Sequence, residues 1–263
     1  MRPCKGRPTG PTGICHPTTL HLAYLAPMDL PVPITAARAW VALFRCQLKP
    51  VQALMPPPLE AVTMRGGRVP VIAFAIDCDD SPLGKFKHVG VGFAARCKPW
   101  FNPSLAALWF ERKAEDFGWW MQFSAVSGSD DAVAAHAQTW GLPAFRADID
   151  VQIKRARMKA TVVEKGVEIL KFEMKRPGED MPLRFPMRTY GRIDADVVRT
   201  DMTVDAVGRE RSIFISSGLT FRRHERIEDV RGVSIETNDP LEVRWYDSYR
   251  TRMDAPSARF RVK

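Results

Sequence analysis

The sequence lacks long apolar runs and any recognisable pair of metal-binding cysteines. No stretch approaches the roughly 18 consecutive apolar residues of a transmembrane helix, so we expect no membrane partner. The five cysteines form no Cys-x-x-Cys pair and have no zinc-ligand spacing with the five histidines. We therefore predict no metal site and reduced thiols, as in a cytoplasmic protein.

Common catalytic and cofactor motifs are also missing. The chain has no phosphate-binding loop, no Gly-x-Ser-x-Gly turn and no His-Glu-x-x-His motif. Residues 90–95 (GVGFAA) match a dinucleotide fingerprint loosely, but Cys97-Lys98-Pro99 follows at once, where that motif needs a helix. These glycines are more typical of a strand, and we predict no cofactor.

The charge is basic but dispersed. A net charge of +9 comes from 39 Lys and Arg residues scattered among 30 Asp and Glu residues. This pattern favours a solvated basic surface over a nucleic-acid partner. The proportions of hydrophobic residues (45%) and charged residues (26%) are those of a globular protein.

Two regions differ in composition. Residues 1–27 are rich in Pro, Gly and Thr without apolar periodicity, and we expect a disordered extension, with Met28 a candidate natural start. Residues 28–263 contain many short strand-like runs separated by turns, with no internal repeat or linker. They predict a single, mainly β domain, an antiparallel β-barrel or sandwich with a few short helices.

The clearest helix follows Ser129 or Asp130, either of which can cap it. Val133, Ala137 and Trp140 then fall on one apolar face, and Gly141 ends the helix. Shorter helices are expected in residues 48–59, before the prolines, and from Ser104 onward. Residues 158–175 predict a β-hairpin with its turn at Glu164-Lys165-Gly166.

Three ordered motifs resemble the acetoacetate decarboxylase superfamily. Residues 81–88 (SPLGKFKH) resemble its S-P-x-G-x-Y-x-E strand, and residues 141–145 (GLPAF) resemble its G-x-P-K-K turn. Upstream, Pro57-Pro58-Leu59 matches a proline-rich stretch of the family. The resemblance covers roughly residues 35–155 and implies the family's β-barrel around a central cavity, a small-molecule substrate and a homo-oligomer.

The same resemblance implies that the family chemistry is lost. Family members use one of two adjacent lysines to form a Schiff base with a ketone, and the neighbouring cation lowers its pKa. Ala144 and Phe145 occupy those two positions, and His88 replaces the family's acidic residue. Neither Ala144 nor Phe145 can attack a carbonyl.

Strand alternation decides whether another lysine could substitute. Gly84, Phe86 and His88 share one face of the predicted strand, whereas Lys85 and Lys87 share the other. If the family's aromatic and acidic positions face the cavity, both lysines face away from it.

The remaining cavity candidates follow from this placement. His88 is the candidate catalytic acid or base, and the alternative interpretation is a packed strand histidine. The candidate substrate-binding residues are Arg38, Arg45, Phe86, Trp140, Ala144 and Phe145. One of the two arginines is expected to supply the family's cation, although Arg45 also fits a structural role.

The sequence thus predicts a small-molecule enzyme, a lyase or isomerase without a Schiff base. Its substrate would be an oxo or unsaturated carboxylic acid or a polyketide-like compound. The alternative is a non-catalytic carrier of a small apolar acid. A basic nucleic-acid-binding protein is a third, weaker interpretation.

Overall fold

The computed structural model describes residues 29–64, 66–97, 117–178, 180–211 and 217–262. The predicted N-terminal extension, residues 1–27, and almost all of the helix predicted from Ser104 lie outside the described residues. That residues 28–263 form one domain stays a prediction.

Strands dominate the described part of the chain. Its strands are β1 (Val32–Gln47), β2 (Leu59–Ala61), β3 (Arg68–Asp80), β4 (Phe86–Cys97), β5 (Phe117–Ser127), β6 (Ala144–Arg146), β7 (Asp148–Lys154), β8 (Arg157–Glu164), β9 (Val167–Lys175), β10 (Asp180–Ile193), β11 (Asp196–Arg211), β12 (Ser217–Phe221) and β13 (Glu242–Arg261). Its helices are α1 (Leu48–Leu54), α2 (Asp130–Ala134) with a π-helical turn (Ala135–Thr139), a 3-10 turn (Glu225–Ile227) and α3 (Glu228–Gly232). The mainly β prediction is confirmed.

A closed barrel forms the larger part of the described structure. Its seven strands follow the order β4-β3-β1-β13-β11-β10-β5, and β5 pairs with β4 to close the ring. Two short strands lie outside the ring: β2 pairs with β4, and β6 pairs with β5. A second sheet has the order β12-β9-β8-β7. Buried apolar side chains of both sheets belong to one hydrophobic cluster.

The barrel is mixed, so the prediction of an antiparallel barrel was wrong in this respect. Strand β5 pairs in parallel with β10 and with β6. Between β5 and β10 the chain passes through α2, β6 and three strands of the second sheet. Such a long crossover allows parallel pairing, which a tight hairpin forbids.

Several strands are longer than the sequence indicates. Strand β13 has 20 residues and β1 has 16, and both carry register shifts where they pair with neighbours. The bulges let a long strand bend around the barrel. They also interrupt the alternation of polar and apolar residues, which hid the length of these strands.

Local sequence signals gave the turns correctly. The predicted β8–β9 hairpin turns at Lys165 and Gly166, both with positive φ. Gly90 and Gly92 lie within β4, as a glycine-containing strand and not a nucleotide loop. Helix α1 ends at Leu54, directly before the proline-rich stretch.

The helix before Gly141 is capped as predicted but changes its geometry midway. The Ser129 hydroxyl oxygen accepts a hydrogen bond from the backbone N–H of Ala132 (3.1 Å). The last five residues form a π-helical turn, and Gly141 follows with φ 64°. A Cβ at Gly141 would lie 2.7 Å from the backbone nitrogen of Arg192, so glycine is required there.

In the described part of the chain, no helix is long and apolar enough to cross a membrane.

Candidate functional site

A cavity lies inside the barrel. The cavity has a free volume of about 70 Å³, enough for several water molecules. Fourteen of the 21 described residues that line it are apolar. The seven others are His88, His136, Thr189, Arg244, Tyr246, Tyr249 and Thr251.

His88 projects into this cavity from β4. Only 4% of its surface is exposed, and its Nε2 forms a 2.8 Å hydrogen bond with the Ser124 hydroxyl. Phe74 packs edge-on against the imidazole at 4.9 Å between ring centroids. Burial lowers the pKa of His88 well below its ordinary value, and the neighbouring His136 lowers it further. The imidazole is therefore neutral near pH 7.

A second histidine, His136, lies beside the first with ring centroids 4.7 Å apart. Its Nδ1 donates to the carbonyl oxygen of Ala132 (2.7 Å), which leaves Nε2 as the acceptor nitrogen of a neutral ring. Burial lowers its pKa to about 4, although the hydrogen bond to Ala132 acts in the opposite direction.

Sequence reasoning missed His136 because it placed the apolar face of the helix on the neighbouring side. The predicted apolar face contained Val133 and Ala137, but both are only partly buried. The buried residues are instead Ala132, Ala135, His136 and Trp140, at positions i, i+3, i+4 and i+8. This helical spacing was the signal available in the sequence.

An ionic cluster closes another part of the cavity wall. Arg244 of β13 is 6% exposed, and its Nε donates to Glu242 (2.5 Å). The guanidinium also contacts Glu210 and the Tyr246 hydroxyl, each at 3.4 Å. Glu210 lies directly opposite Arg244 in the β11–β13 register, so two neighbouring strands assemble the cluster.

Burial shifts the titration of this cluster. It raises the pKa of Glu242 to about 8, although Arg244 acts in the opposite direction. Burial also raises the pKa of Tyr246 to about 12. For Arg244, burial acts to lower the pKa, but Tyr246, Glu242 and Glu210 outweigh it, and the pKa is raised. Arg244 therefore stays charged, and the Glu242 carboxyl ionises less readily than an exposed glutamate.

The two predicted arginines lie outside the cavity wall, a correction to the expected site. Arg38 is on the outer face of β1 and pairs with Asp77 (2.7 Å). Arg45, near the end of β1, pairs with Glu236 (2.5 Å) and also contacts Asp239. The cavity cation among the described residues is Arg244, which the sequence analysis did not select.

The two positions that the sequence resemblance aligns with the family's lysines also lie behind the wall. Phe145 is 8% exposed and packs on Phe123 (5.3 Å) beneath the guanidinium of Arg226 (5.0 Å). Ala144 is partly buried and pairs in register with Ser124, the hydrogen-bond partner of His88. The short β6 pairs with the edge of β5 outside the closed ring, which moves both residues away from the cavity.

The other predicted residues divide between the wall and its support. Phe86 and His88 both line the cavity, as alternation predicts. Trp140 is fully buried behind His136, with ring centroids 5.2 Å apart, and its indole N–H donates to the carbonyl of Asp254. It supports the wall without lining it.

Lysine is absent from the described cavity wall. Lys87 lies on the opposite face of β4, where its Nζ donates to the Ile149 carbonyl (3.3 Å). Lys85 is exposed just before β4 begins. Within the described ranges, no group of three or more His, Cys, Asp or Glu side chains is arranged to hold a metal ion.

No protein-family model matches the chain, and no curated protein matches its sequence. Solved structures do resemble it in fold. Acetoacetate decarboxylase from Legionella pneumophila aligns with a TM-score of 0.63 and 15% identity, over 92% of this chain and 93% of that chain. An acetoacetate decarboxylase-like enzyme from Sphingomonas wittichii gives 0.58 and 13%, over 90% and 95%. The enduracididine biosynthesis enzyme MppR complexed with pyruvate gives 0.56 and 12%, over 97% and 99%.

The chain therefore has the acetoacetate decarboxylase-like fold, as the sequence motifs predicted. These alignments span most of the chain, including the C-terminal part in which the motifs fade.

Proposed function

We propose that the chain is an enzyme of the acetoacetate decarboxylase superfamily that acts on a largely apolar oxo or unsaturated carboxylic acid or polyketide-like compound. The observation that carries the proposal is the pair His88 and His136, held edge to face inside an apolar cavity. Buried imidazoles in an apolar cavity are suited to proton transfer. The structural relatives named above are described as enzymes, which supports the same view.

The reaction is a lyase or isomerase step without a Schiff base. No lysine lines the described cavity wall, and Ala144 and Phe145 carry no amine. His88 accepts or returns the proton at the reacting carbon, and the Ser124 hydroxyl fixes its orientation. Although burial makes His88 a weak base, a negative charge forming on a bound substrate favours its protonation.

Arg244 is the proposed cation for the acidic or carbonyl end of the substrate, in place of Arg38 or Arg45. It is the charged residue among the described cavity-lining side chains, and β13 fixes it between Glu242 and Tyr246. The low dielectric of the buried site strengthens hydrogen bonds to a substrate oxygen.

A non-catalytic carrier of a small apolar acid is the second candidate. It is favoured by the apolar majority of the wall and by the low pKa of both histidines, which makes each a weak base. The two candidates differ in what they require of His88.

The test is turnover of a panel of oxo and unsaturated acids in deuterated water, followed by proton NMR. We expect exchange, isomerisation or loss of carbon dioxide with wild type, and loss of that activity with His88→Asn. His224→Asn is the matched control, because His224 lies outside the described cavity wall. Binding of these acids without conversion by wild type, with only modest weakening by His88→Asn, would favour the carrier.

Two further proposals are a homo-oligomeric assembly, which rests on the resemblance alone, and a cytoplasmic location, which rests on the spacing of the cysteines. Light scattering on the purified protein tests the first of them.

A further inference from the structure

The inner face of β13 runs along the cavity. From one end to the other, its cavity-lining residues are Arg244, Tyr246, Tyr249, Thr251 and Met253. A bulge between Tyr246 and Tyr249 keeps both on the inner face. At about 3.3 Å per residue, the nine steps from Arg244 to Met253 span roughly 30 Å, less the shortening at the bulge. The cavity is therefore long.

It is also narrow. The free space of about 70 Å³ is small for a cavity that follows so much of one strand. Phe74 and Met121 occupy the bore at the level of Gly90 and Gly92, where Cβ atoms would lie 2.4 Å and 2.7 Å from these side chains. A long, narrow bore fits one extended chain better than a fused or bulky ring.

The two ends of the bore differ in chemistry. Arg244 and Tyr246 form a buried polar end. At the other end, Met187, Met202 and Met253 lie directly opposite one another on β10, β11 and β13, and all three line the cavity. Methionine is flexible and polarisable, and its side chain adapts to apolar groups of different shape.

The methionine end reaches the protein surface at β10. Pro186, which also lines the cavity, is exposed, and Met187 is only partly buried. Arg244, Met202 and Met253 are each only 6% exposed. A ligand that enters beside Pro186 therefore reaches the polar end with its head and leaves its tail among the methionines.

We propose, building on the function proposed above, that the substrate is an unbranched acyl compound whose carbonyl or carboxyl end lies at Arg244 and Tyr246 and whose apolar chain extends to Met187, Met202 and Met253. His88 belongs to the row of paired residues that runs through Ile76 and Ala39 to Tyr246. The methionine row accepts chains of several lengths.

The test is calorimetric binding of straight-chain saturated acids, from butanoic to hexadecanoic acid, to the full-length protein below their micelle concentrations. Each added methylene should tighten binding roughly fourfold, which is the burial of one methylene group, until the chain reaches the methionines. A cyclohexyl acid with the same number of carbons as the best straight chain should bind at least tenfold more weakly.

Met187→Trp narrows the outer end at a partly buried position. It should move the optimum to shorter chains while the shortest acids that bind keep their affinity. Val207→Trp is the matched control, because Val207 is 47% exposed and lies outside the described cavity wall. It should leave the whole length series unchanged.

The outcomes separate the two proposals. Short acids that bind as tightly as long ones, or an unchanged optimum in folded Met187→Trp, would overturn the acyl-chain inference and leave the proposed function standing. If neither straight-chain nor cyclic acids bind, and no compound of the turnover panel is converted, both proposals fail.

Discussion

Replacing Glu242 by glutamine should change how the stability of the protein depends on pH. The Glu242 carboxyl is buried between Arg244 and Glu210, and burial raises its pKa to about 8 from an ordinary value of 4.5. Glutamine keeps an oxygen that accepts from the Arg244 Nε and adds an N–H that can donate to Glu210. The substitution thus removes the titration with little change in shape.

The size and sign of the effect follow from proton linkage. Between about pH 4.5 and 8 the folded wild type holds a proton on Glu242 that the unfolded chain has lost. The free energy of unfolding therefore falls as pH rises, by about 1.4 kcal/mol per pH unit. Over the whole window the loss is at most roughly 5 kcal/mol, because Glu210 and Arg244 share the titration.

The histidines act in the opposite direction at lower pH. Burial lowers the pKa of His136 to about 4 from 6.5, and that of His88 also falls. Both histidines bind protons in the unfolded chain but not in the folded protein, so the free energy of unfolding falls as pH falls below about 6.5. Two histidines outweigh one glutamate there, and the wild type should be most stable near pH 6.5.

The assay is urea denaturation of wild type and Glu242→Gln at several pH values between 6.5 and 8. The difference in unfolding free energy should move by about 2 kcal/mol in favour of the variant across that window. Glu173→Gln, at an exposed glutamate, is the matched control and should run parallel to wild type. A constant difference between wild type and Glu242→Gln would refute the protonated state of Glu242.

Three other outcomes are expected. Incubation with acetoacetate and borohydride should give no lysine adduct by mass spectrometry, because no lysine lines the described cavity wall; a stoichiometric adduct would contradict this. Ser129→Ala removes a helix cap and should cost about 1 kcal/mol in urea denaturation; an unchanged midpoint would show that the cap contributes nothing. Gly191→Ala places a Cβ 2.4 Å from backbone oxygens of the turn after the π-helical segment. It should lower the free energy of unfolding by roughly 1–3 kcal/mol, because overpacking forces the backbone to shift. A variant as stable as wild type would contradict this close packing.

Local chemistry in the sequence determined the turns, caps and strand phases. Ser129 caps its helix and Gly141 ends the segment, because each needs only its immediate backbone neighbours. The placement of Phe86 and His88 on one face of β4, and of Lys87 on the other, follows from a period of two that no long-range contact alters. Residues of the same strand also belong to the motifs from which the fold was predicted.

Tertiary structure alone decided which charged and polar groups meet in the cavity. Arg244 reaches it because β13 pairs with β11, which places Glu210, 34 residues earlier in the chain, opposite the guanidinium. His136 is buried because its helix turns the face of Ala135 and His136 towards the barrel, and Phe145 is displaced because β6 pairs in parallel outside the ring. Strand register and helix phase depend on packing between distant segments, and a single sequence read locally contains no measure of that packing.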